Sequence, residues 1–217
     1  MKFLCLHGYQ QSAAIMQSET SFLKNIFQQT VGEDEDVSFF YPSAPFNSAP
    51  TPSNEPTFAW WPQDPTITDI ETFRYISNIL DKEGPFDGIV GFSQGGSVGS
   101  LVAALLERPI AARPSNFTTP HGPLRMVVSY SGYHEDDTRL QKYYMQKIKT
   151  PILHFICSTD PVMAEERCFR LVSRCEDTED RVVVYRGSGF HRVPATKITA
   201  QALSRFLTDV LDIEDDF

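Results

Sequence analysis

The sequence feature that most constrains this chain is one serine set between glycines, in the run Gly91-Phe92-Ser93-Gln94-Gly95. Phe86, Ile89 and Val90 before it predict a short buried strand, and the residues after Ser97 predict a helix. The run matches G-x-S-x-G, a strained strand-to-helix turn that presents a serine Oγ above a sheet. The helix N-terminus that follows offers N–H groups that suit an oxyanion. Because the pattern is short, a non-catalytic serine in a Gly-rich turn is the alternative.

The size and charge of the chain narrow its class. With 217 residues, 41% of them hydrophobic, the chain can bury one sizeable core, so we predict a single domain over residues 1–217. Its net charge of −9 argues against a nucleic-acid partner. The longest apolar stretches fall well short of the roughly 18 residues of a membrane span, so none is predicted. Residues 3–6 are too few for the apolar core of a signal peptide.

The cysteines indicate the redox environment. They show neither C-x-x-C spacing nor the density of a disulfide-rich secreted protein. We therefore predict reduced thiols, mostly packed in the core of a cytoplasmic protein, at Cys5, Cys157, Cys168 and Cys175.

Strand and helix patterns alternate along the chain. The predicted strands cover residues 2–6, 37–41, 86–90, 125–130, 151–157 and 181–185. The predicted helices cover residues 15–30, 66–82, 94–107, 138–148, 162–174 and 196–211. This alternation predicts an α/β fold with a largely parallel sheet. In such sheets ligands bind at the carboxyl ends of the strands.

Residues 42–65 differ from the rest of the chain. Seven prolines argue against regular structure there. The aromatic residues Phe46, Phe58, Trp60 and Trp61 make the segment too apolar for a disordered linker. A loop this long inside a compact domain is usually functional. Two interpretations stay open: the loop folds over a pocket, or its aromatics seal the edge of the core.

Polar residues follow four of the predicted strands, which places Tyr9, Ser93, Asp160 and His191 at one edge of the sheet. A serine nucleophile needs a base to take its proton and a carboxylate to orient that base. In α/β-hydrolases the chain order is serine, acid, histidine. His191 fits this order, because it follows the last strand in a Gly-rich loop. The remaining histidines suit it less well: His7, His121, His134 and His154.

The acid and the oxyanion donors each have alternatives. Asp160 is preferred as the acid, but Asp136 and Asp137 also follow a strand, and aspartates are common in loops. The oxyanion hole would combine the N–H of Gln94 with one from the loop after the first strand. Tyr9 is the preferred residue of that loop, with its neighbour Gln10 as the alternative.

Five segments together resemble a known family: 6–8, 84–95, 129–133, 160–162 and 191–194. Over nearly its whole length the chain is similar to the eukaryotic serine hydrolase family abbreviated FSH. That family includes ovarian-cancer-associated esterases and fungal thioesterases of polyketide pathways in secondary metabolism. The resemblance implies an α/β-hydrolase fold of about six mostly parallel strands, without a large lid domain. It also implies Ser93 as nucleophile, Asp160 as acid, His191 as base, and no cofactor.

The resemblance also suggests a substrate pocket and an activity. Trp60 and Trp61 are expected to border an acyl pocket, and Phe190, where the family pattern suggests a second glycine, would add an apolar wall. The expected activity is that of a serine carboxylesterase acting on small-molecule esters with a hydrophobic acyl group. One alternative is a thioesterase that releases an acyl chain from CoA or from an acyl carrier protein. A carrier could dock on a basic patch of Arg108, Arg113 and Arg125. The second alternative is a non-catalytic binding protein.

Overall fold

A computed structural model describes residues 1–32, 34–49, 55–61, 70–187 and 190–215. Its strands are β1 (Lys2–Leu6), β2 (Ser38–Phe40), β3 (Phe46–Asn47), β4 (Phe58–Ala59), β5 (Gly88–Phe92), β6 (Met126–Tyr130), β7 (Ile152–Cys157) and β8 (Val182–Tyr185). Its α-helices are α1 (Ala13–Glu19), α2 (Leu23–Val31), α3 (Ile70–Glu83), α4 (Gln94–Leu106), α5 (Glu165–Val172) and α6 (Lys197–Asp215).

Six strands form one sheet in the order β2-β1-β5-β6-β7-β8, and every neighbouring pair is parallel. This confirms the predicted parallel sheet flanked by helices. All residues of β5, β6 and β7 are buried, as expected for strands covered on both faces. Because the strands are parallel, the residues after β1, β5, β7 and β8 meet at one edge of the sheet.

The core lies in two layers, one on each face of the sheet. Side chains alternate between the faces of a strand, so Leu4 and Leu6 belong to one layer whereas Phe3 and Cys5 belong to the other. The first layer also holds residues of α3 and α4, and the second holds residues of α1, α2 and α6. The apolar helix α4 is buried along its whole length. This burial holds the first turn of α4 in place, next to Ser93.

Two predicted helices are wrong in part. The helix expected over residues 15–30 is two helices, because α1 ends at Thr20, whose buried hydroxyl donates to the Met16 carbonyl. The helix expected over residues 138–148 is only a 3₁₀ turn, Gln141–Tyr144. Burial of the adjacent Tyr143 and Tyr144 in the core suits that tighter turn.

The segment 42–65 contains regular structure despite its prolines. β3 and β4 pair as a small antiparallel ladder, with Phe46 opposite Ala59 and Asn47 opposite Phe58. None of the prolines lies within these two strands, so no ladder hydrogen bond is lost. Residues 50–54 and 62–65 of this segment, and residues 66–69 of the predicted third helix, lie outside the described part of the chain.

Two expectations about the chain as a whole can be compared with the structure. All four cysteines are free and buried, which confirms the expected core thiols. Within the ranges given above, the structure contains no helix that combines the length and apolarity needed to cross a membrane.

Candidate active site

Ser93 sits at the turn between β5 and α4 with φ of 51°, a left-handed conformation unusual for a residue with a side chain. Its N–H donates to the Tyr130 carbonyl at 2.7 Å, which holds the turn in place. Glycine is required beside it, because a Cβ at Gly95 would collide with the Leu6 carbonyl oxygen. The sequence thus folds into a strained turn that fixes the serine above the end of β5.

Asp160 and His191 form a short hydrogen bond. Nδ1 of His191 lies 2.6 Å from Oδ2 of Asp160, and the Asp160 side chain is only 2% exposed. Oδ1 accepts the N–H groups of Val162 and Met163, both at 2.9 Å. Burial raises the pKa of Asp160, but these hydrogen bonds and the imidazole outweigh burial and hold that pKa below its usual value. The ionised Asp160 therefore orients the ring with Nδ1 protonated.

The other nitrogen of the imidazole is left available. Nε2 of His191 is buried and has no hydrogen-bond partner among the residues that the structure describes, so no bond to Ser93 is closed. The ring packs against Phe92, the residue before the serine, with 4.7 Å between ring centroids. Such serine–histidine bonds often close only when substrate is bound. An unprotonated Nε2 at this place is suited to accept a proton from Ser93 Oγ.

The structure places the two alternative acids elsewhere. Asp136 pairs with Arg170 at 2.9 Å and with Arg167 at 3.6 Å. Asp137 pairs with Arg139 at 2.5 Å. Asp160 is the aspartate that the fold brings to His191.

The other histidines have structural partners. His7 donates from Nδ1 to the Gly8 carbonyl and accepts the Ala44 N–H at Nε2, and burial lowers its pKa to about 4. His154 lies beside the Cys175 thiol, and its burial lowers the pKa of the imidazole to about 3. The remaining two each contact a neighbour: His121 accepts the Phe86 N–H, and His134 packs on the Tyr144 ring.

The candidate oxyanion donors come from two turns. Gln94 is the first residue of α4, where an N–H group has no acceptor within the helix. Its side-chain Oε1 accepts the Trp60 N–H at 2.8 Å. In the turn after β1, Gln10 donates its N–H to the Phe58 carbonyl at 3.1 Å. That bond makes Gln10 the weaker alternative, and Tyr9 remains our candidate.

The aromatic residues expected around a pocket lie in three different environments. Trp60 is completely buried, and its indole N–H donates to the His7 carbonyl at 2.8 Å. It therefore seals the core edge and has no surface open to a pocket. Trp61 is half-buried against Phe73, with 5.9 Å between ring centroids. Phe190 is 66% exposed and lines a cavity of about 510 Å³ beside the His191 loop.

Ser131 is a residue of the site that sequence reasoning missed. Its hydroxyl donates to Oδ2 of Asp160 at 3.3 Å, the same oxygen that binds His191. It is buried, and its φ of 49° is again left-handed. The signal was present, because Ser131 follows β6 directly in one of the five segments that resemble the FSH family.

The basic patch expected for a carrier protein does not lie beside Ser93. Arg108 and Arg113 follow the far end of α4, a 13-residue helix about 20 Å long. Their guanidinium groups donate to backbone carbonyls there. Arg125 pairs with Asp87 at 3.5 Å before β6 begins, at the opposite edge of the sheet. Over the described ranges, no group of three or more metal-ligating side chains could hold a metal ion.

Comparison with known proteins places the chain in a family. Residues 1–203 match the family model described as serine hydrolase (FSH1). The chain is 30% identical to esterase OVCA2 of Bos taurus over 237 residues, covering 98% of this chain and 97% of that protein. It is 29% identical to family of serine hydrolases 3 of Saccharomyces cerevisiae, covering 90% of this chain and 79% of that protein.

Longer relatives and solved structures complete the comparison. The chain spans 47% and 52% of two relatives from Schizosaccharomyces pombe. The crystal structure of Zea mays acyl-protein thioesterase 2 superposes with a TM-score of 0.63 at 17% identity, covering 97% of this chain and 93% of that one. The fold is thus that of the α/β-hydrolases. The chain belongs to the FSH1 family of serine hydrolases and is an enzyme that hydrolyses ester bonds.

Proposed function

We propose that this enzyme is a serine carboxylesterase that uses Ser93, His191 and Asp160 as a catalytic triad. The observation that carries the proposal is the 2.6 Å bond between Asp160 and His191, which leaves Nε2 of the imidazole unpartnered among the described residues near Ser93. The proposal includes a single domain over residues 1–217 that acts in the cytoplasm. The buried free cysteines agree with a reducing compartment.

The reaction would run in two half-reactions. In the first, His191 Nε2 takes the proton of Ser93 as Oγ attacks the ester carbonyl, and the N–H groups of Gln94 and Tyr9 stabilise the oxyanion. Collapse of this intermediate breaks the ester bond, and His191 passes the proton to the departing alkoxide. In the second, His191 deprotonates a water that attacks the acyl-enzyme. Collapse releases the acid and returns the proton to Ser93.

The proposed acyl group is hydrophobic. Trp61 and Phe190 support this assignment, because Trp61 follows the residue whose N–H bonds Gln94, and the exposed Phe190 directly precedes His191. Faster hydrolysis of short polar acyl groups than of medium-length alkyl groups would contradict it.

Thioester hydrolysis is the second candidate function. It is supported by the structural similarity to a protein named an acyl-protein thioesterase, and the same triad would cleave both kinds of bond. Docking of an acyl carrier protein through Arg108, Arg113 and Arg125 finds no support, since these side chains lie far from Ser93. A CoA thioester fits this alternative better than a carrier-bound one. A non-catalytic binding protein would not need the ordered Asp160–His191 pair.

The test is labelling with a fluorophosphonate probe, which reacts with activated serines. We expect the native enzyme to label, and the Ser93→Ala and His191→Ala variants to lose labelling. Ser100→Ala is the matched control, because Ser100 is a buried serine of α4 whose hydroxyl bonds the Gly96 carbonyl. Folded native enzyme that does not label, or Ser93→Ala protein that still does, would refute the proposal. Esters and thioesters of one acyl chain then separate the two functions.

A further inference from the structure

The loop after β1 carries Tyr9, the proposed oxyanion donor, directly after a glycine. A Cβ at Gly8 would lie 2.9 Å from Cδ1 of the Phe92 ring, so the close packing of this loop against the residue before Ser93 requires glycine. Glycine is also the residue whose backbone rotates most freely. The direction of the Tyr9 N–H therefore depends on what holds Gly8.

Two side chains hold the two peptide groups that flank the Cα of Gly8. Nδ1 of His7 donates to the Gly8 carbonyl at 2.7 Å, and the Gly8 N–H donates to Oε1 of Gln11 at 2.8 Å. The Gly8 carbonyl and the Tyr9 N–H belong to one planar peptide group, so the first bond sets the direction of that N–H. The second bond holds the preceding peptide group. Together the two bonds fix both backbone torsions of Gly8.

Gln11 is itself held at its backbone and at its side chain. Its carbonyl accepts the Phe58 N–H at 2.8 Å, which ties it to β4. Its Nε2 donates to Oε2 of Glu19, the last residue of α1, at 3.1 Å. The Gln11 amide must present its oxygen to Gly8, because its nitrogen cannot accept an N–H. A carboxylate is an acceptor only, so Glu19 binds the amide nitrogen and keeps the amide oxygen on Gly8.

Glu19 lies between the oxyanion loop and the histidine of the proposed triad. It is half-buried and lines the cavity beside the His191 loop. Burial raises the pKa of its carboxyl, and the Gln11 amide, His191 and Arg192 oppose that rise. Glu19 could act through its bond to Gln11 or through its charge on the imidazole. The hydrogen bonds favour the first, because Nδ1 of His191 bonds Asp160 and its Nε2 bonds no group in the described ranges.

We propose that Gln11 and Glu19 are positioning residues that aim the Tyr9 N–H at the oxyanion of the reaction. Gln11 acts by holding Gly8, and Glu19 acts by orienting the Gln11 amide. This inference rests on the proposed esterase function and adds the residues that hold its oxyanion loop. Because the negative charge on oxygen develops only in the transition state, loss of this alignment should lower kcat and leave KM nearly unchanged.

The test measures kcat and KM for hydrolysis of a 4-nitrophenyl ester, with hydrogen exchange of the Gly8 amide by NMR as a second readout. In Gln11→Ala, kcat should fall about tenfold, which is less than the loss that follows removal of an oxyanion donor itself. The Gly8 N–H should also exchange faster with solvent. Gln17→Ala is the matched control, because Gln17 is an exposed glutamine of the same helix as Glu19, and it should change neither readout.

Variants of Glu19 separate alignment from charge. Glu19→Gln removes the charge but keeps an oxygen that can accept from Gln11, so it should retain most of kcat. Glu19→Met removes both and should resemble Gln11→Ala. Gln11→Glu places two carboxylates together and should lower kcat. Adding Glu19→Gln to Gln11→Glu should restore kcat, because the exchanged pair again has an acceptor facing Gly8 and a donor between the two side chains.

Two kinetic results would overturn the inference. One is a kcat in Gln11→Ala equal to that of the native enzyme. The other is an equal loss of kcat in Glu19→Gln and Glu19→Met, which would mean that Glu19 acts through its charge. If the native enzyme hydrolyses no ester, the esterase proposal fails separately, and hydrogen exchange decides the inference. Unchanged exchange at Gly8 in Gln11→Ala would overturn it, and faster exchange there, with native exchange in the exchanged pair, would support it.

Discussion

Replacement of Ser131 by alanine should move the pH dependence of the enzyme. The Ser131 hydroxyl donates to the same Asp160 oxygen that orients His191. At 3.3 Å this bond is long for a hydroxyl on a carboxylate, so we assign it the low end of the usual range, about 1 kcal/mol. Loss of this donor raises the pKa of Asp160, because the ionised carboxylate is then less well stabilised.

The direction of the kinetic effect follows from charge. A carboxylate that loses a donor stabilises the imidazolium more strongly, so the acidic limb of kcat/KM against pH should shift to higher pH. The plateau of kcat/KM should fall about fivefold, because Asp160 is held less firmly. The assay is hydrolysis of a chromogenic ester over a pH series, with folding checked by circular dichroism.

Two further variants make the result decisive. Ser129→Ala removes a buried hydroxyl that has no hydrogen-bond partner among the described residues, two positions before Ser131, and should leave the profile unchanged. Ser131→Gly removes the hydroxyl and also relieves the left-handed backbone, so its profile should match that of Ser131→Ala. The reasoning is refuted if the Ser131→Ala profile superimposes on that of the native enzyme, or if Ser129→Ala shifts equally.

Three other predictions concern stability and reactivity. Gly95→Ala should lower the melting temperature by several degrees or prevent folding, because the added Cβ would collide with the Leu6 carbonyl. Gly122→Ala is the control and should fold normally, since no atom lies within 4 Å of a Cβ added there. As the pH falls from 6.5 towards 4, stability in denaturant titrations should decline by about 3 kcal/mol from His7 alone, since the unfolded chain takes up the proton that buried His7 resists. His7→Gln should reduce this slope, and an unchanged slope would contradict the assignment. Burial raises the pKa of Cys5, and it raises the pKa values of Cys168 and Cys175 to about 12. These thiols should therefore react with a disulfide reagent only after the protein unfolds. Rapid reaction of the native enzyme would contradict their burial.

The parallel sheet and the position of Ser93 could be predicted from sequence because both depend on local patterns. Short apolar segments alternating with helical spacing define the strands, and the glycines around Ser93 define the turn. The strand-end rule also brought Asp160 and His191 to one edge of the sheet. These features need no knowledge of how distant side chains pack.

The errors arose where tertiary contacts decide the outcome. The end of α1 at Thr20 depends on the Thr20 hydroxyl, which hydrogen-bonds the Met16 carbonyl and the Tyr41 hydroxyl. The spacing of apolar residues along the sequence does not reveal these bonds. Trp60 was expected to border an acyl pocket, but it is buried in the core, where its indole N–H donates to the His7 carbonyl. The role of Ser131 depends on β6 and β7 lying side by side, which brings its hydroxyl to Asp160. Neighbours across a sheet are not adjacent in sequence.

Gln94 links two parts of the enzyme that protein engineers usually treat as separate. Its backbone begins α4 beside Ser93, while its side chain holds the Trp60 N–H of the loop after β4. Exchanging that loop for one from a relative would therefore disturb the residue next to the nucleophile unless the new loop offers an N–H at the same place. Selectivity and turnover should thus change together in loop-exchange libraries, and libraries that vary position 94 along with the loop should recover more active members.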